Sequence, residues 1–222
     1  MDPTVAPQLD WGKDGTPFAT AFDDTYFSAE DGAAEARYVF LNGNNLPHRY
    51  RDGFAVAELG FGTGLNLLVA AQAWGSRAGR LRYTSFEAFP LLAADHRRAL
   101  HRWPELREWA EVLISHRESG RTNFSLGPVD VSLVLGDART TLPQWAGVAD
   151  AWFLDGFSPA RNPELWGEDL MSQIARHTRP GGSFATFTAA GGVRRALERA
   201  GFTVERRTGF GRKRHMSAGV LG

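Results

Sequence analysis

Four carboxylates stand where a ligand could use them: Glu58, Glu87, Asp137 and Asp155 each end an apolar run and precede a turn or a helical pattern. Glu58 opens a Glu-x-Gly-x-Gly-x-Gly segment in which Gly60, Phe61, Gly62 and Gly64 lead to Asn66. Glycines between a strand and a helix let backbone N–H groups approach a ligand closely, and dinucleotide cofactors use a related spacing to cradle a pyrophosphate. An anion at Glu58 would repel a pyrophosphate but suits the cationic amino group of a methionine moiety. Glu87 is suited to accept both hydroxyls of a ribose, and Asp137 to take an adenine amino group or to shape its pocket. The ordered set points to a positively charged adenosyl cofactor, S-adenosylmethionine. Plainer readings stay open for each residue alone: glycine for turn conformation, acids as helix caps or solvated charges.

The second informative stretch is Asp150-Ala-Trp-Phe-Leu-Asp-Gly-Phe-Ser-Pro-Ala-Arg-Asn-Pro163, which sets Asp155 and Phe157 at a strand end. An aromatic ring can stack a splayed-out base, and proline limits loop entropy. An alkylamine acceptor, with a pKa of about 10, is mostly protonated at neutral pH, so exposing its lone pair costs on the order of 4 kcal/mol. Asp155 as general base would accept that proton, a role typically worth about a hundred- to ten-thousandfold in rate. A turn or helix-capping carboxylate is the alternative for Asp155.

Positioning these groups requires strand ends gathered on one rim. Ala55–Leu59, Leu81–Phe86, Val129–Leu135 and Ala149–Leu154 read as strands. The expected helices follow Gly64 and cover Pro90–Leu100, Arg139–Trp145, Pro163–His177 and Gly192–Ala200. Asn123–Leu126 pairs with Val129–Leu135 across Gly127-Pro128 as a hairpin, and Arg179-Pro-Gly-Gly182 stops a helix before a strand at Ser183–Thr188. Phe202–Arg207 and Met216–Leu221 close the sheet. Strands alternating with helices predict an α/β, Rossmann-like fold of the class I methyltransferase kind, with a mainly parallel seven-stranded sheet and ligands at the carboxyl ends of its strands. Residues 1–50 are expected to be an N-terminal extension that covers the active site, and residues 51–222 the catalytic domain.

The 222-residue chain has no net charge and no cysteine, which excludes disulfides, thiolate nucleophiles and cysteine-ligated metals. No apolar stretch reaches the eighteen or so residues of a membrane span, and Met1–Asp10 lacks the basic-then-apolar pattern of an export signal. A cytoplasmic protein without membrane contact is expected. Charge is unevenly placed. Arg194, Arg195, Arg199, Arg206, Arg207, Arg212, Lys213 and Arg214 crowd the C-terminal part, whereas Asp23, Asp24, Glu30, Asp31 and Glu35 make the N-terminal part acidic. The basic cluster is either a solvated face or a footprint for phosphates.

The chain resembles, over nearly its full length, the methyltransferase domain of the MnmC family, whose stand-alone form is called MnmD. The resemblance is carried by Phe22-Asp-Asp-Thr-Tyr-Phe-Ser28, Arg37-Tyr-Val-Phe-Leu41, Glu58 to Asn66, Ser85-Phe-Glu87 and Trp103-Pro-Glu-Leu106. Further matches are Trp152-Phe-Leu-Asp-Gly-Phe157, Arg179-Pro-Gly-Gly182, Ala185-Thr-Phe-Thr188 and Gly209-Phe-Gly-Arg-Lys-Arg214. The resemblance implies methyl transfer from S-adenosylmethionine to the exocyclic amine of 5-aminomethyl-2-thiouridine at the tRNA wobble position, with Asp155 near the acceptor. It implies one cofactor, with no FAD and no metal, because no length remains for the family's FAD-dependent oxidase domain. The chain is then a stand-alone enzyme or an excised domain, and another enzyme supplies the amine upstream. Ala88 stands where the resemblance leads one to expect lysine.

Asp24, Tyr26 and Phe157 are the candidate acceptor contacts, with Asn42, Gly43 and Asn44 assigned to the same cover, while Arg161 is grouped with the basic residues. Arg212, Lys213 and Arg214 are the candidates for anticodon-stem phosphates. Two other functions are compatible with the residues: methylation of a small-molecule or protein amine, and a non-catalytic module that binds the cofactor or RNA. A nicotinamide dehydrogenase conflicts with Glu58.

Overall fold

The computed structural model describes residues 6–222. Residues 1–5, including the start of the segment lacking an export signal, lie outside the described residues. A short antiparallel sheet of β1 (Leu9–Trp11), β2 (Pro17–Ala19) and β3 (Asp24–Thr25) comes first. Helix α1 (Gly32–Ala36) follows, with the Asp31 carboxylate accepting from the Ala34 N–H as its cap, and the chain continues as one wide turn through Leu41.

All five residues of β4 (Ala55–Leu59) are buried, as expected for a strand covered on both faces. It enters α2 (Leu65–Trp74) through the glycine turn, and β5 (Leu81–Glu87) leads to α3 (Ala93–Leu100). Helix α3 starts later than the pattern predicts, because Leu92 before it is extended (ψ 153°). The sequence reading missed α4 (Arg107–Glu118), whose buried Ala110, Leu113 and Ile114 form one narrow stripe on an otherwise charged helix. Strands β6 (Asn123–Leu126) and β7 (Val129–Leu135) form the predicted hairpin.

Short α5 (Ala138–Thr141) precedes β8 (Ala149–Leu154). The helix predicted over Pro163–His177 is divided: Pro163–Trp166 is a single tight turn, Gly167 is extended, and α6 spans Glu168–Arg176. Strand β9 (Thr178–Thr186) carries the Arg179-Pro-Gly-Gly182 segment as a bulge, since Ala149 faces Thr178 while Ala151 faces Ser183. Helix α7 (Gly191–Arg199), β10 (Phe202–Thr208) and β11 (His215–Leu221) complete the chain.

The main sheet runs β10-β11-β9-β8-β4-β5-β7-β6, with β9, β8, β4, β5 and β7 parallel. Among the described residues the sheet has eight strands, one more than the seven expected, with the hairpin strand β6 at its edge beside β7. One core packs Val56, Tyr83 and Phe153 against α1, α2 and α4; the other packs Leu59, Trp152 and Phe184 against α6 and α7. Successive side chains of one strand thus point to opposite cores, leaving the carboxyl ends of β4, β5, β7 and β8 on a common rim. Among the described residues, no helix is long and apolar enough to cross a membrane.

Candidate active site

The rim opens into a cavity of about 600 Å³, lined by Gly60, Phe61, Gly62, Asn66, Glu87, Asp137, Asp155 and Phe157 from the sheet side. Asp24, Tyr26, Phe22 and Glu35 from the N-terminal segment close its other side. Gly60, Gly62 and Gly64 all adopt left-handed conformations, with φ of 77°, 50° and 80°. A Cβ on Gly60 would stand 3.1 Å from the Gly156 backbone and one on Gly62 3.1 Å from the Tyr26 ring, so the turn needs both the torsion and the bareness of glycine.

Glu87 lines the cavity while accepting from the Gly62 N–H (2.8 Å) and the Phe89 N–H (2.7 Å), which ties the second strand end to the glycine turn. Burial raises its pKa above the usual carboxylate range. Asp137 serves both alternatives considered for it. It caps α5 by accepting from the Arg139 N–H (2.8 Å), it lines the cavity, and the Arg139 guanidinium holds its carboxyl below the ordinary value.

Glu58 is a correction. It does not line the cavity: it is fully buried beneath the floor, where Asn66 Nδ2 donates to Oε1 (2.9 Å) and Ser85 Oγ donates to Oε2 (2.7 Å). Burial pushes it up to about 8, which favours the protonated form at neutral pH, and its place outside the cavity lining keeps it from meeting an ammonium group there. Its influence on the site runs through Asn66, whose Nδ2 also donates to Asp155 Oδ2 at 2.8 Å. The other oxygen of Asp155 accepts from the Gly156 N–H (2.8 Å). Asp155 is pushed up to about 6, by burial first and in smaller part by Glu35, which leaves it an ionised and weakly basic carboxylate at pH 7.

The N-terminal segment borders the cavity through Phe22, Asp24 and Tyr26. Asp24 Oδ2 accepts from the Ser158 N–H at 2.9 Å, and Tyr26 meets Phe157 edge-on at 5.2 Å. Phe22, unnoticed in the sequence, stacks on Phe157 at 4.4 Å and touches Phe89 at 5.5 Å. Asn42, Gly43 and Asn44 are not part of the cover: Asn44 donates to the Phe40 and Trp152 carbonyls under the sheet, and Gly43 abuts Ala185. The Asn44 amide thus serves buried groups of the fold.

Of the basic candidates, Arg161 pairs with Asp23 (2.6 Å) outside the cavity lining, and Arg212 is nearly fully exposed beside Glu30 (3.0 Å). Arg214 is exposed. Lys213 is drawn inward in this structure: its Nζ lies at the cavity and donates to Glu35 Oε1 at 2.7 Å. Sequence reasoning also missed Glu35 and His96. Buried His96 holds the Thr63 carbonyl through Nδ1 (2.9 Å) and is pushed down to about 4 by burial, so as a neutral ring it pins the glycine turn by donating that N–H. Neither residue carried a periodic or motif signal.

The residues present fit an adenosyl sulfonium: a bare glycine turn, and the Glu87 and Asp137 carboxylates on the cavity wall, able to accept from hydroxyl or amino groups. The family described as S-adenosyl-L-methionine-dependent methyltransferase matches residues 103–222. The chain is 47% identical, over 96% of its length, to the tRNA 5-methylaminomethyl-2-thiouridine biosynthesis bifunctional protein MnmC of Pseudomonas aeruginosa, of which it covers 35%. The chain thus spans about a third of the length of the curated relatives it matches. The crystal structure of MNMC2 from Aquifex aeolicus superposes with a TM-score of 0.80 at 27% identity, covering 98% of this chain and 71% of that one. A precorrin-6y C5,15-methyltransferase from Geobacter metallireducens, at 12% identity and a TM-score of 0.51 over 94% of this chain and 95% of its own, shares the fold.

Proposed function

Since the chain belongs to the S-adenosyl-L-methionine-dependent methyltransferases, we propose that it methylates the exocyclic amine of 5-aminomethyl-2-thiouridine at the tRNA wobble position. The product is 5-methylaminomethyl-2-thiouridine. The observation that carries the reading is Asp155, a carboxylate oriented by Asn66 and Gly156 on the floor of a cavity whose wall is the Phe157–Phe22 aromatic pair. The identity of nearly the whole chain to part of MnmC supports the choice of RNA substrate.

Bound S-adenosyl-L-methionine supplies an electrophilic methyl group on a sulfonium. The protein's work is to prepare the acceptor nitrogen. Asp155 takes the proton that an alkylammonium must lose, and its value of about 6 keeps it ionised at pH 7 and able to receive one. Asn66 holds the receiving oxygen in one orientation. Phe22, Tyr26 and Phe157 form an aromatic wall against which a base drawn out of the anticodon loop can pack, and Asp24 fixes the loop that bears Phe157. Glu87 holds ribose hydroxyls and Asp137 the adenine end. Arg161, Arg212 and Arg214 lie outside the cavity, where backbone phosphates of an anticodon stem can meet them. An enzyme acting upstream provides the aminomethyl group, and the reaction belongs to the cytoplasm, where tRNA and the cofactor are available.

The test is to incubate the protein with labelled S-adenosyl-L-methionine and tRNA from cells lacking this modification, then to digest the RNA and weigh the labelled nucleoside. Label in 5-methylaminomethyl-2-thiouridine is expected. Label in another nucleoside, or transfer only to a small amine, refutes the substrate.

A further inference from the structure

We infer that Glu35 is the seat for the acceptor's ammonium group and that Lys213 occupies this seat until the substrate displaces it. The inference rests on the amine-acceptor reading above. Glu35 projects from α1 with only a tenth of its side chain exposed, and Lys213 Nζ donates to its Oε1 at 2.7 Å. Both residues line the cavity that contains Asp155. The same Nζ stands 4.6 Å from the centre of the Phe187 ring. A carboxylate removed from water beside an aromatic face is the chemistry that holds an alkylammonium. Lys213 is such a group, brought in from outside by the exposed loop between β10 and β11.

A counter-charge stabilises a carboxylate removed from water, and Lys213 supplies one to Glu35 in this structure. The aminomethyl group of the acceptor is a primary ammonium, and it can replace Lys213 charge for charge. Lys213 is free to leave because about half of its side chain faces solvent. Its neighbour Arg212 pairs, among the described residues, with exposed Glu30 at 3.0 Å. RNA phosphates would take Arg212 and Lys213 from these two carboxylates together, vacating Glu35 as the modified base arrives. The carboxyl of Asp155, raised by burial first, is raised further by Glu35 and lowered by Lys213, as expected of groups that share one field. A simple anchoring role for the Glu35–Lys213 pair makes different predictions.

The experiment measures equilibrium affinity by calorimetry on the full chain, with S-adenosyl-L-homocysteine present so that nothing turns over. The probes are the free nucleosides 5-aminomethyl-2-thiouridine and 2-thiouridine, and tRNA bearing the aminomethyl group. Glu35→Gln should weaken the aminomethyl nucleoside about tenfold and leave 2-thiouridine unchanged. Lys213→Met should tighten the aminomethyl nucleoside severalfold, by removing its competitor, and weaken the tRNA, by removing a phosphate contact. That opposite response is not expected of an anchor. The seat is overturned if the wild type does not prefer the amine-bearing nucleoside, if Glu35→Gln weakens both nucleosides alike, or if Lys213→Met moves nucleoside and tRNA in the same direction. Amine-selective binding without methyl transfer to the tRNA would leave the seat intact and refute the proposed function instead.

Discussion

Replacing Glu58 by glutamine should make the protein resistant to alkali. The carboxyl is fully buried, and burial raises it from an ordinary 4.5 to about 8. A folded-state value above the unfolded one means that the native protein binds this proton more tightly. The resulting stability is fully present below pH 4.5 and is lost as pH rises through 8. Each tenfold in proton affinity is worth about 1.4 kcal/mol, so the whole range amounts to about 5 kcal/mol, of which about 1.4 kcal/mol disappears between pH 7 and pH 9. For a chain of this size that is a fall of about 3–5 °C in melting temperature. Glutamine keeps the Asn66 contact, and the Ser85 hydroxyl can turn to accept from the new amide; having no proton to lose, the variant lacks this component of the decline. The assay is urea unfolding of both proteins at pH 7 and pH 9, read as the difference between them so that other titrating groups cancel. Parallel declines would show that Glu58 is already ionised at neutral pH, and the argument that it cannot serve as the anion of the site would fall.

Asp155→Asn should retain cofactor binding and lose about a hundred- to ten-thousandfold in kcat, since it removes the proton acceptor; a variant within threefold of wild type would exclude Asp155 as base. In the wild-type enzyme kcat should rise with pH through about 6 and then level off, because the ionised form is the active one. Activity on tRNA should fall steeply between about 50 and 200 mM salt, as each neutralised phosphate adds to the logarithmic slope; a flat response would point to an acceptor without phosphates. Gly60→Ala forces a side chain into a φ of 77° and against the Gly156 backbone, at a cost of roughly 1–2 kcal/mol or more. Chemical denaturation should register that loss together with weaker cofactor binding, and an alanine variant equal to wild type in both would contradict the turn geometry.

Much of the frame was legible in the amino-acid sequence because it follows from local periodicity and punctuation. The nearly all-apolar run Ala149–Leu154 (interrupted by Asp150), the glycine turn after Leu59 and the Gly127-Pro128 hairpin each specify an element over a few residues, and each is found where predicted. The strand-end acids Glu87, Asp137 and Asp155 were legible for the same reason, since a parallel sheet must gather such ends on one rim. Helix boundaries at Leu92 and Gly167 were not, because one extended residue suffices to delay or divide a helix without altering the apolar pattern.

Which charges face the cavity is settled by packing across the whole fold. Glu58 and Asp155 look alike in sequence, yet one lies sealed under the floor and the other opens onto the cavity; burial depth depends on the whole sheet and its flanking helices. Glu35 and Lys213 lie 178 positions apart and meet at 2.7 Å, and Phe22 meets Phe157 across a similarly long stretch of chain. No local pattern encodes such pairs. Residue type and spacing determine which elements form, whereas the energy of a charge depends on the water and partners left around it once those elements pack.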